Sequence, residues 1–244
     1  MAHFQQIEFC KSIKEFFFYN SKISVLELGS YNINGTLRDI FTNTSEYLGL
    51  DIAHGPCVDH VYDGKVIDIK NKKFDLCISC ECFEHNPYYI ENLLQMISLS
   101  KNDGVVVFTC ATVGRTEHGT AESETLSNSS SPSSMVKWNY YKNLNKKDFT
   151  KKINFKDFFL EHKFYLNSVS RDLYFVGIKD RNYLNNFINF NNTILHRNTN
   201  ISFIDPTFSE IKFSLIHYLF NNVLPYIIGD YLTRKLRIQL KKLL

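Results

Sequence analysis

Short apolar runs alternate with amphipathic segments through the first two thirds of the chain, and this alternation limits the fold more than any other feature. Runs typical of buried strands occupy Ser24–Leu28, Tyr47–Asp51, Val58–Val61, Phe74–Ser79 and Val105–Cys110. Apolar residues at helical spacing precede or separate them, over Gln5–Tyr19, Gly35–Phe41 and Tyr88–Leu99. This order predicts an α/β protein with a doubly wound, mostly parallel sheet and helices on both faces.

Two further strand patterns follow, over Phe164–Ser170 and Leu173–Lys179, with a short connection at Arg171-Asp172. They predict an antiparallel hairpin at the C-terminal edge of a seven-stranded sheet. The 244 residues suffice for one well-buried domain and an appendage. We therefore expect a domain over residues 1–180 with an N-terminal helix, and a helical, basic extension over residues 181–244.

The extension ends in "LPYIIGDYLTRKLRIQLKKLL", which places an apolar stripe opposite basic residues. The stripe consists of Ile228, Leu232, Leu236, Leu240 and Leu243. Such a helix can lie on a membrane surface, or it can pack on its own domain or on a second subunit. Packing within the protein is favoured, because apolar stripes of this kind belong mostly to cores.

Net charge, leader signals and cysteines exclude several classes of function. The formal charge is only +3, and six basic against three acidic residues in 205–244 account for it, so no broad nucleic-acid surface is expected. Glu8, Lys11 and Lys14 interrupt the apolar residues near the start, which argues against a signal peptide and for a cytoplasmic protein. Cysteines 77, 80 and 82 lack a second ligand pair at metal spacing, so no metal site is predicted.

The loop in "VLELGSYNINGTL", from Val25 to Leu37, resembles a nucleotide-binding turn without all of its glycines. An apolar strand leads into Gly29, and Gly35 begins the next predicted helix, yet the pattern G-x-G-x-x-G is absent. Tyr31 and Asn34 stand where a pyrophosphate site needs glycine. The loop therefore suits a ligand with a carboxylate and an ammonium group better than a diphosphate.

Carboxylates stand at three successive strand ends. Glu27 can orient an ammonium group through the loop, and Asp51 ends the second strand where an acidic side chain holds ribose hydroxyls. Asp63 follows the third strand, where a carboxylate can accept a hydrogen bond from the amine of adenine. Each alone is as readily a capping or turn residue. Together they indicate a nucleoside-binding edge.

Several segments of the sequence together resemble those of a known protein family. The segments that carry the resemblance are "VLELGSYNINGTLRDIF", "YLGLDIAHGPCVDHV", "KFDLCISCECFEHN", "GRTEHGT", "NYYKNL" and "DLYFVGIK". From Ser24 to Lys179 the chain resembles the methyltransferase-type-11 subgroup of class I S-adenosylmethionine-dependent methyltransferases. The second loop glycine of the family is absent here, and Asn34-Gly35 matches the subgroup with Asn-Gly at that position.

The resemblance implies a Rossmann-like methyltransferase fold and S-adenosylmethionine as the cofactor. It also implies a small-molecule or glycan acceptor. The cofactor contacts that it implies are Glu27, Gly29, Ser30, Asn34, Gly35, Asp51, Ile52, Asp63, Glu81 and Cys82.

Two histidines are the candidates for catalysis. His85 follows Glu84 just after the fourth strand, and His118 follows the fifth, so both should face the reactive methyl from the same sheet edge. His118 is the favoured general base, because the imidazole pKa suits proton removal from an alcohol near neutral pH. Alternatively, His118 only orders its loop, and His85 with Glu84 begins a helix and shapes the pocket.

The remaining predictions concern the acceptor. Arg115 and Glu117 are expected to bind a polar, sugar-like acceptor, and Tyr140 and Tyr141 to form a stacking wall. The long Ser-rich stretch over residues 112–134 is expected to form a lid. The sequence thus predicts O-methylation of a glycan, sugar or other small polar molecule. Transfer to nitrogen or to a carboxylate, or a non-catalytic cofactor-binding scaffold, are the alternatives.

Overall fold

The computed structural model describes residues 3–120, 132–136, 138–167, 169–196 and 203–204, together with the isolated positions 219, 227 and 236. The helices are α1 Phe4–Phe17, α2 Tyr89–Leu99, α3 Pro132–Met135, α4 Lys146–Thr150 and α5 Leu184–His196. The strands are β1 Ile23–Leu28, β2 Thr44–Asp51, β3 His60–Val61, β4 Phe74–Cys80, β5 Ser100–Ala111, β6 Glu161–Asn167, β7 Asp172–Ile178 and β8 Phe203–Ile204.

All eight strands form one sheet in the order β3-β2-β1-β4-β5-β7-β6-β8. The five strands from β3 to β5 in this order are parallel, whereas β7 runs antiparallel to both β5 and β6. The predicted doubly wound, seven-stranded sheet with a C-terminal hairpin is confirmed. The two-residue strand β8, which pairs with β6, adds an eighth strand that the sequence did not predict.

Each face of the sheet carries its own apolar core. On one face α2 packs through Leu93 and Met96, together with Phe149 of α4. On the other face α1 packs through Phe9, together with Phe190 of α5. Every residue of β1 is buried, which explains why apolar residues occupy both faces of this strand, with Ser24 and Glu27 as its two polar residues.

The predicted helix over Gly35–Phe41 is wrong, because the segment contains only a 3-10 turn at Leu37–Asp39. Gly35 has φ +149° and donates its amide to the side chain of Asn32 at 2.8 Å, so the chain is still in a turn there. Strand β2 already begins at Thr44, which leaves no room for a longer helix. A ligand at this loop therefore meets turn amides and side chains rather than the start of a long helix.

The extension after residue 180 is not separate from the domain where the structure describes it. Helix α5 packs against α1, and β8 continues the sheet. Most of the basic apolar stripe lies outside the described residues, as do residues 121–131 of the predicted lid. Among the described helices, none has both the length and the apolar character needed to cross a membrane.

Candidate functional site

The strand order reverses between β1 and β4, and the loops that follow these two strands meet at the carboxyl edge of the sheet. Gly29, directly after β1, has φ +80°, and a Cβ atom there would lie 2.6 Å from Cβ of Cys82 after β4. Both the left-handed backbone and the close approach therefore require glycine. Ligands of open α/β sheets bind at this reversal point.

A cavity of about 780 Å³ of empty volume, here called the main cavity, opens at this point. Seven residues predicted for the site line it, namely Gly29, Asp51, Ile52, Glu81, Cys82, His85 and His118. The loops after β1, β2, β4 and β5 supply them. The main cavity thus brings residues that are far apart in the sequence to one edge of the sheet.

A second cavity of about 450 Å³, here called the loop cavity, adjoins the main cavity around Gly29 and Tyr31, which line both. The predicted residues Glu27, Ser30, Asn34 and Gly35 line it, together with Gln6 and Ile7 of α1. The two cavities thus collect the predicted cofactor residues except Asp63 along one continuous edge.

Asp51 fastens the first loop to the second strand. Its carboxylate accepts hydrogen bonds from the amide of Tyr31 at 3.0 Å and from the amide of Ile52 at 2.7 Å. Burial raises its pKa, although these amides oppose the shift. Each carboxylate oxygen can accept a second hydrogen bond, so Asp51 can hold the loop and a ligand hydroxyl together.

Glu27 is buried and accepts a hydrogen bond from the hydroxyl of Tyr47 at 2.5 Å. Burial raises the pKa of Glu27 to about 7, because the charged form loses hydration. A cationic group in the loop cavity would favour the ionised carboxylate. This environment agrees with the predicted contact to an ammonium group.

Glu81 lies directly after β4 and has φ +51°, an unusual backbone for a side chain of this size. Its carboxylate accepts a hydrogen bond from the hydroxyl of Thr109 at 2.7 Å. It also faces His3, whose Nε2 atom lies 3.8 Å from Glu81 and 2.9 Å from the buried carboxylate of Asp172. The N-terminal residues thus close one side of the site through a buried ionic cluster.

The contacts between His3, Glu81 and Asp172 determine which of these side chains are charged. Burial opposes the charged form of His3, but its contacts with the carboxylates of Asp172 and Glu81 raise its pKa to about 10. Burial likewise opposes ionisation of Glu81, but the nearby charge of His3 lowers the pKa of Glu81 to about 2. His3 is therefore an imidazolium at neutral pH.

His85 and His118 meet in the part of the main cavity after β4 and β5, here called the histidine end. Their ring centroids are 5.1 Å apart, and Tyr141 packs against both at 5.3 and 5.2 Å. Burial lowers the pKa of His85 to about 3 and also lowers that of His118, so both rings are neutral at physiological pH. The structure therefore places the two histidines side by side, and their expected role in catalysis stays a prediction.

Glu84 lies behind the two histidines, fully buried. Its Oε1 atom is 4.0 Å from Nε2 of His118, and neither carboxylate oxygen has a hydrogen-bond partner. Burial and the neighbouring charge of Glu81 raise its pKa to about 8, although the backbone amides of Glu84 and Ala111 oppose the shift. A buried acid whose oxygens lack a well-formed hydrogen bond is costly, so its retention here calls for an explanation.

Five predicted residues line neither cavity: Asp63, Arg115, Glu117, Tyr140 and Tyr141. The carboxylate of Asp63 is exposed and accepts hydrogen bonds from the amides of Lys65 and Val66. Arg115 donates to the carbonyl of Ser170 at 2.5 Å and lies 3.5 Å from Asp172. Glu117 accepts a hydrogen bond from Thr120. The roles expected of these five residues stay predictions.

Several lining residues were not predicted. Tyr31 and Tyr62 follow β1 and β3, and Trp138 reaches the main cavity from beyond the predicted lid. The amide of Asn86 donates to the carbonyl of Gly64 at 2.7 Å and so fixes the floor beneath Trp138. Trp138 is the only tryptophan of the chain, a signal that would have identified it as a candidate wall of the cavity.

Comparisons with known proteins bear on the fold. The sequence matches no protein-family model and none of the curated proteins to which it was compared. The structure is similar to plantazolicin methyltransferase BpumL in complex with SAH, with TM-score 0.50 and 14% identity over 72% of this chain and 83% of that chain.

Two further solved structures are more distant. One is a putative methyltransferase from Bacillus halodurans, with TM-score 0.48 and 11% identity over 70% of this chain and 98% of that chain. The other is N-methyltransferase NodS from Bradyrhizobium japonicum, with TM-score 0.41 and 11% identity over 71% and 86%. At 14% identity, the likeness to BpumL establishes the fold alone. The chain therefore shares the fold of BpumL.

Proposed function

We propose that the protein is an S-adenosylmethionine-dependent methyltransferase that transfers a methyl group to an oxygen of a small polar acceptor. The observation that carries the proposal is the continuous pair of cavities at the β1–β4 reversal. Asp51 lines the main cavity and Glu27 lines the loop cavity, and the loop between them lacks a glycine-rich phosphate cradle. We assign Asp51 to the ribose of the cofactor and Glu27 to its ammonium group. These features suit S-adenosylmethionine better than a dinucleotide. The fold shared with BpumL, a methyltransferase bound to SAH, supports the same conclusion.

The histidine end of the main cavity suits the acceptor. An alcohol must lose its proton when its oxygen attacks the methyl carbon, and we assign this proton to Nε2 of His118. Nδ1 of His118 lies 3.0 Å from the carbonyl of Thr116, which can only accept, so Nδ1 carries the proton and Nε2 is free to act as a base. His85 is the second candidate. A glycan or sugar is our preferred acceptor class, with Arg115, Glu117, Tyr140 and Tyr141 as its expected contacts.

The proposal also includes a lid over residues 112–134 and membership of the methyltransferase-type-11 subgroup. Gly119 and Ser133, near the two ends of this segment, both line the main cavity. We expect amides of the segment to gain protection from hydrogen exchange when cofactor and acceptor are both bound. Equal protection in the free protein would contradict a lid.

Calorimetry tests the cofactor and mass spectrometry tests the reaction. S-adenosylmethionine and SAH should bind, whereas NAD should not, and an acceptor in an extract should gain one methyl group when the protein and cofactor are added. If His118→Gln abolishes methylation of the acceptor while SAH binding is retained, the result supports transfer to oxygen. Transfer to a more nucleophilic amine would depend less on His118. SAH binding without any methylated product would favour the scaffold alternative.

A further inference from the structure

Glu84, His85 and His118 form a compact set of metal-binding side chains that the methyl transfer as described does not require. One ligand atom from each residue lies within 4.8 Å of the other two. A bound zinc ion would sit about 2.0–2.2 Å from nitrogen and oxygen ligands, so a contraction of roughly an ångström would complete the coordination.

The unsatisfied atoms of the set point to a missing ligand. Both oxygens of Glu84 and Nδ1 of His85 are buried without a hydrogen-bond partner. Glu84 is the strongest case, because its side chain is fully buried and Oε1 faces Nε2 of His118 at 4.0 Å. Orphaned acceptors of this kind are rare in folded proteins, and a cation would satisfy them at once.

The surroundings hold the two imidazoles as ligands. The carbonyl of Thr116 accepts from Nδ1 of His118 at 3.0 Å, an outer contact that metal-bound histidines usually have, and it leaves Nε2 free. Gly119 packs so closely on His85 that a Cβ atom would lie 2.9 Å from its ring, which fixes the orientation of that ring. The neighbouring cluster of His3, Glu81 and Asp172 differs, because His3 already occupies it as a cation at 2.9 Å from Asp172.

We propose that Glu84, His85 and His118 bind one divalent transition-metal ion at the histidine end of the main cavity. Two imidazoles and one carboxylate suit Zn²⁺ and its neighbours rather than Mg²⁺ or Ca²⁺, which prefer oxygen ligands throughout. Both histidines line the main cavity, so the remaining coordination position faces the space assigned to the acceptor. Three protein ligands and one open position are typical of a catalytic rather than a structural site.

The consequence for the reaction rests on the proposed function. A metal-bound acceptor hydroxyl would lose its proton to water near neutral pH, because the cation stabilises the alkoxide. The alkoxide oxygen would then form a bond to the methyl carbon, while the carbon–sulfur bond of the cofactor breaks and its electron pair returns to sulfur, giving SAH. Nε2 of His118 would be a ligand in this form, so the metal would take over the task that we assigned to the free imidazole.

Metal binding is tested on the full chain, after treatment with a chelator, without reference to turnover. We expect Co²⁺ to give the visible absorption of a nitrogen-ligated ion at one equivalent, and Zn²⁺ to displace it. Glu84→Gln should weaken Co²⁺ affinity at least about tenfold, as even outer contacts of a metal site contribute that much. Glu91→Gln, an equivalent change at an exposed position of α2, should leave it unchanged. SAH calorimetry on both variants confirms that they fold.

The outcomes separate this proposal from the proposed function. Absence of Co²⁺ and Zn²⁺ binding, or equal affinity in Glu84→Gln and Glu91→Gln, would overturn the metal site while SAH binding leaves the methyltransferase intact. Metal binding without SAH binding would support the metal site and contradict the proposed methyltransferase function. If the rate of methyl transfer is unchanged after treatment with the chelator, the metal has no catalytic role. Removal of the acceptor proton is then assigned to His118.

Discussion

Asp51 combines a structural and a binding task in one carboxylate, and a single substitution addresses both. Asp51→Asn keeps the size of the side chain but replaces one acceptor oxygen with a donor, which cannot accept from the amide of Tyr31 or Ile52. We expect SAH affinity to fall by about 1–3 kcal/mol, the range for a hydrogen bond to a charged group. Calorimetry checks this, with Asp68→Asn at an exposed position as the control. Unchanged affinity in Asp51→Asn would remove this residue from the site.

His118 is the residue on which turnover should depend most. His118→Gln retains much of the shape but loses the free imidazole nitrogen, so turnover should fall by about a hundredfold to ten-thousandfold. Affinity for SAH should stay near wild type, because His118 follows β5, three strands away from Asp51 in the sheet. Initial rates on the identified acceptor and calorimetry with SAH check the two halves of this prediction. If the variant kept the wild-type rate, His118 would not be the general base, and His85 would become the candidate.

At the scale of elements, α1 is held to the site by the charge of His3. Nε2 of His3 contacts Asp172 and faces Glu81, Nδ1 contacts the amide oxygen of Gln5 at 3.2 Å, and Arg115 lies on the far side of Asp172. His3→Gln would leave two buried carboxylates short of a cation. We expect the free energy of unfolding to fall by roughly 2 kcal/mol at neutral pH, less than for a fully buried pair because His3 is partly exposed.

The pH dependence of this contribution follows from the direction of the shift. The pKa of His3 rises from 6.5 to about 10 on folding, so its stabilisation is complete below pH 6.5 and is lost as the pH rises through about 10. The difference in Tm between wild type and His3→Gln should therefore shrink between these two values. Thermal unfolding at several pH values checks this, with His60→Gln at an exposed position of β3 as the control. A constant difference would contradict an ionised His3.

The same elements show how far the sequence could predict the site. Gly29 follows β1, Asp51 ends β2, and His85 and His118 lie in the loops after β4 and β5. The carboxyl ends of parallel strands meet at one edge of the sheet, so local pattern was enough to find these residues. His3 reaches the site only because α1 packs across the sheet, and no pattern within Gln5–Tyr19 indicates that contact. The helix expected after Gly35 failed for a local reason, since the turn at Asn32 and the early start of β2 leave no space for it.

At the scale of the whole molecule, the first and last described helices stabilise each other. Phe190 of α5 is fully buried, with ring centroids 5.7 Å from Phe9, 5.9 Å from Phe16 and 5.6 Å from Phe17. Helix α1 begins directly after its N-cap residue His3, and it lines the loop cavity through Gln6 and Ile7. The packing of α5 is therefore connected to the candidate cofactor site through α1, although α5 lies beyond the predicted domain boundary at residue 180.

A substitution in α5 tests whether residues after 180 belong to the same folding unit. Phe190→Ala should lower the free energy of unfolding by about 3 kcal/mol, because it leaves a cavity among four aromatic rings of the core. Ile188→Ala on the same helix, where the side chain is 48% exposed, should change it by no more than about 0.5 kcal/mol. Urea unfolding followed by tyrosine and tryptophan fluorescence measures both variants.

If α5 is part of the domain, Phe190→Ala shifts the single main transition, since Trp138 and the sheet unfold together with it. If residues 181–196 were an independent appendage, the main transition would stay in place and only a minor early phase would move.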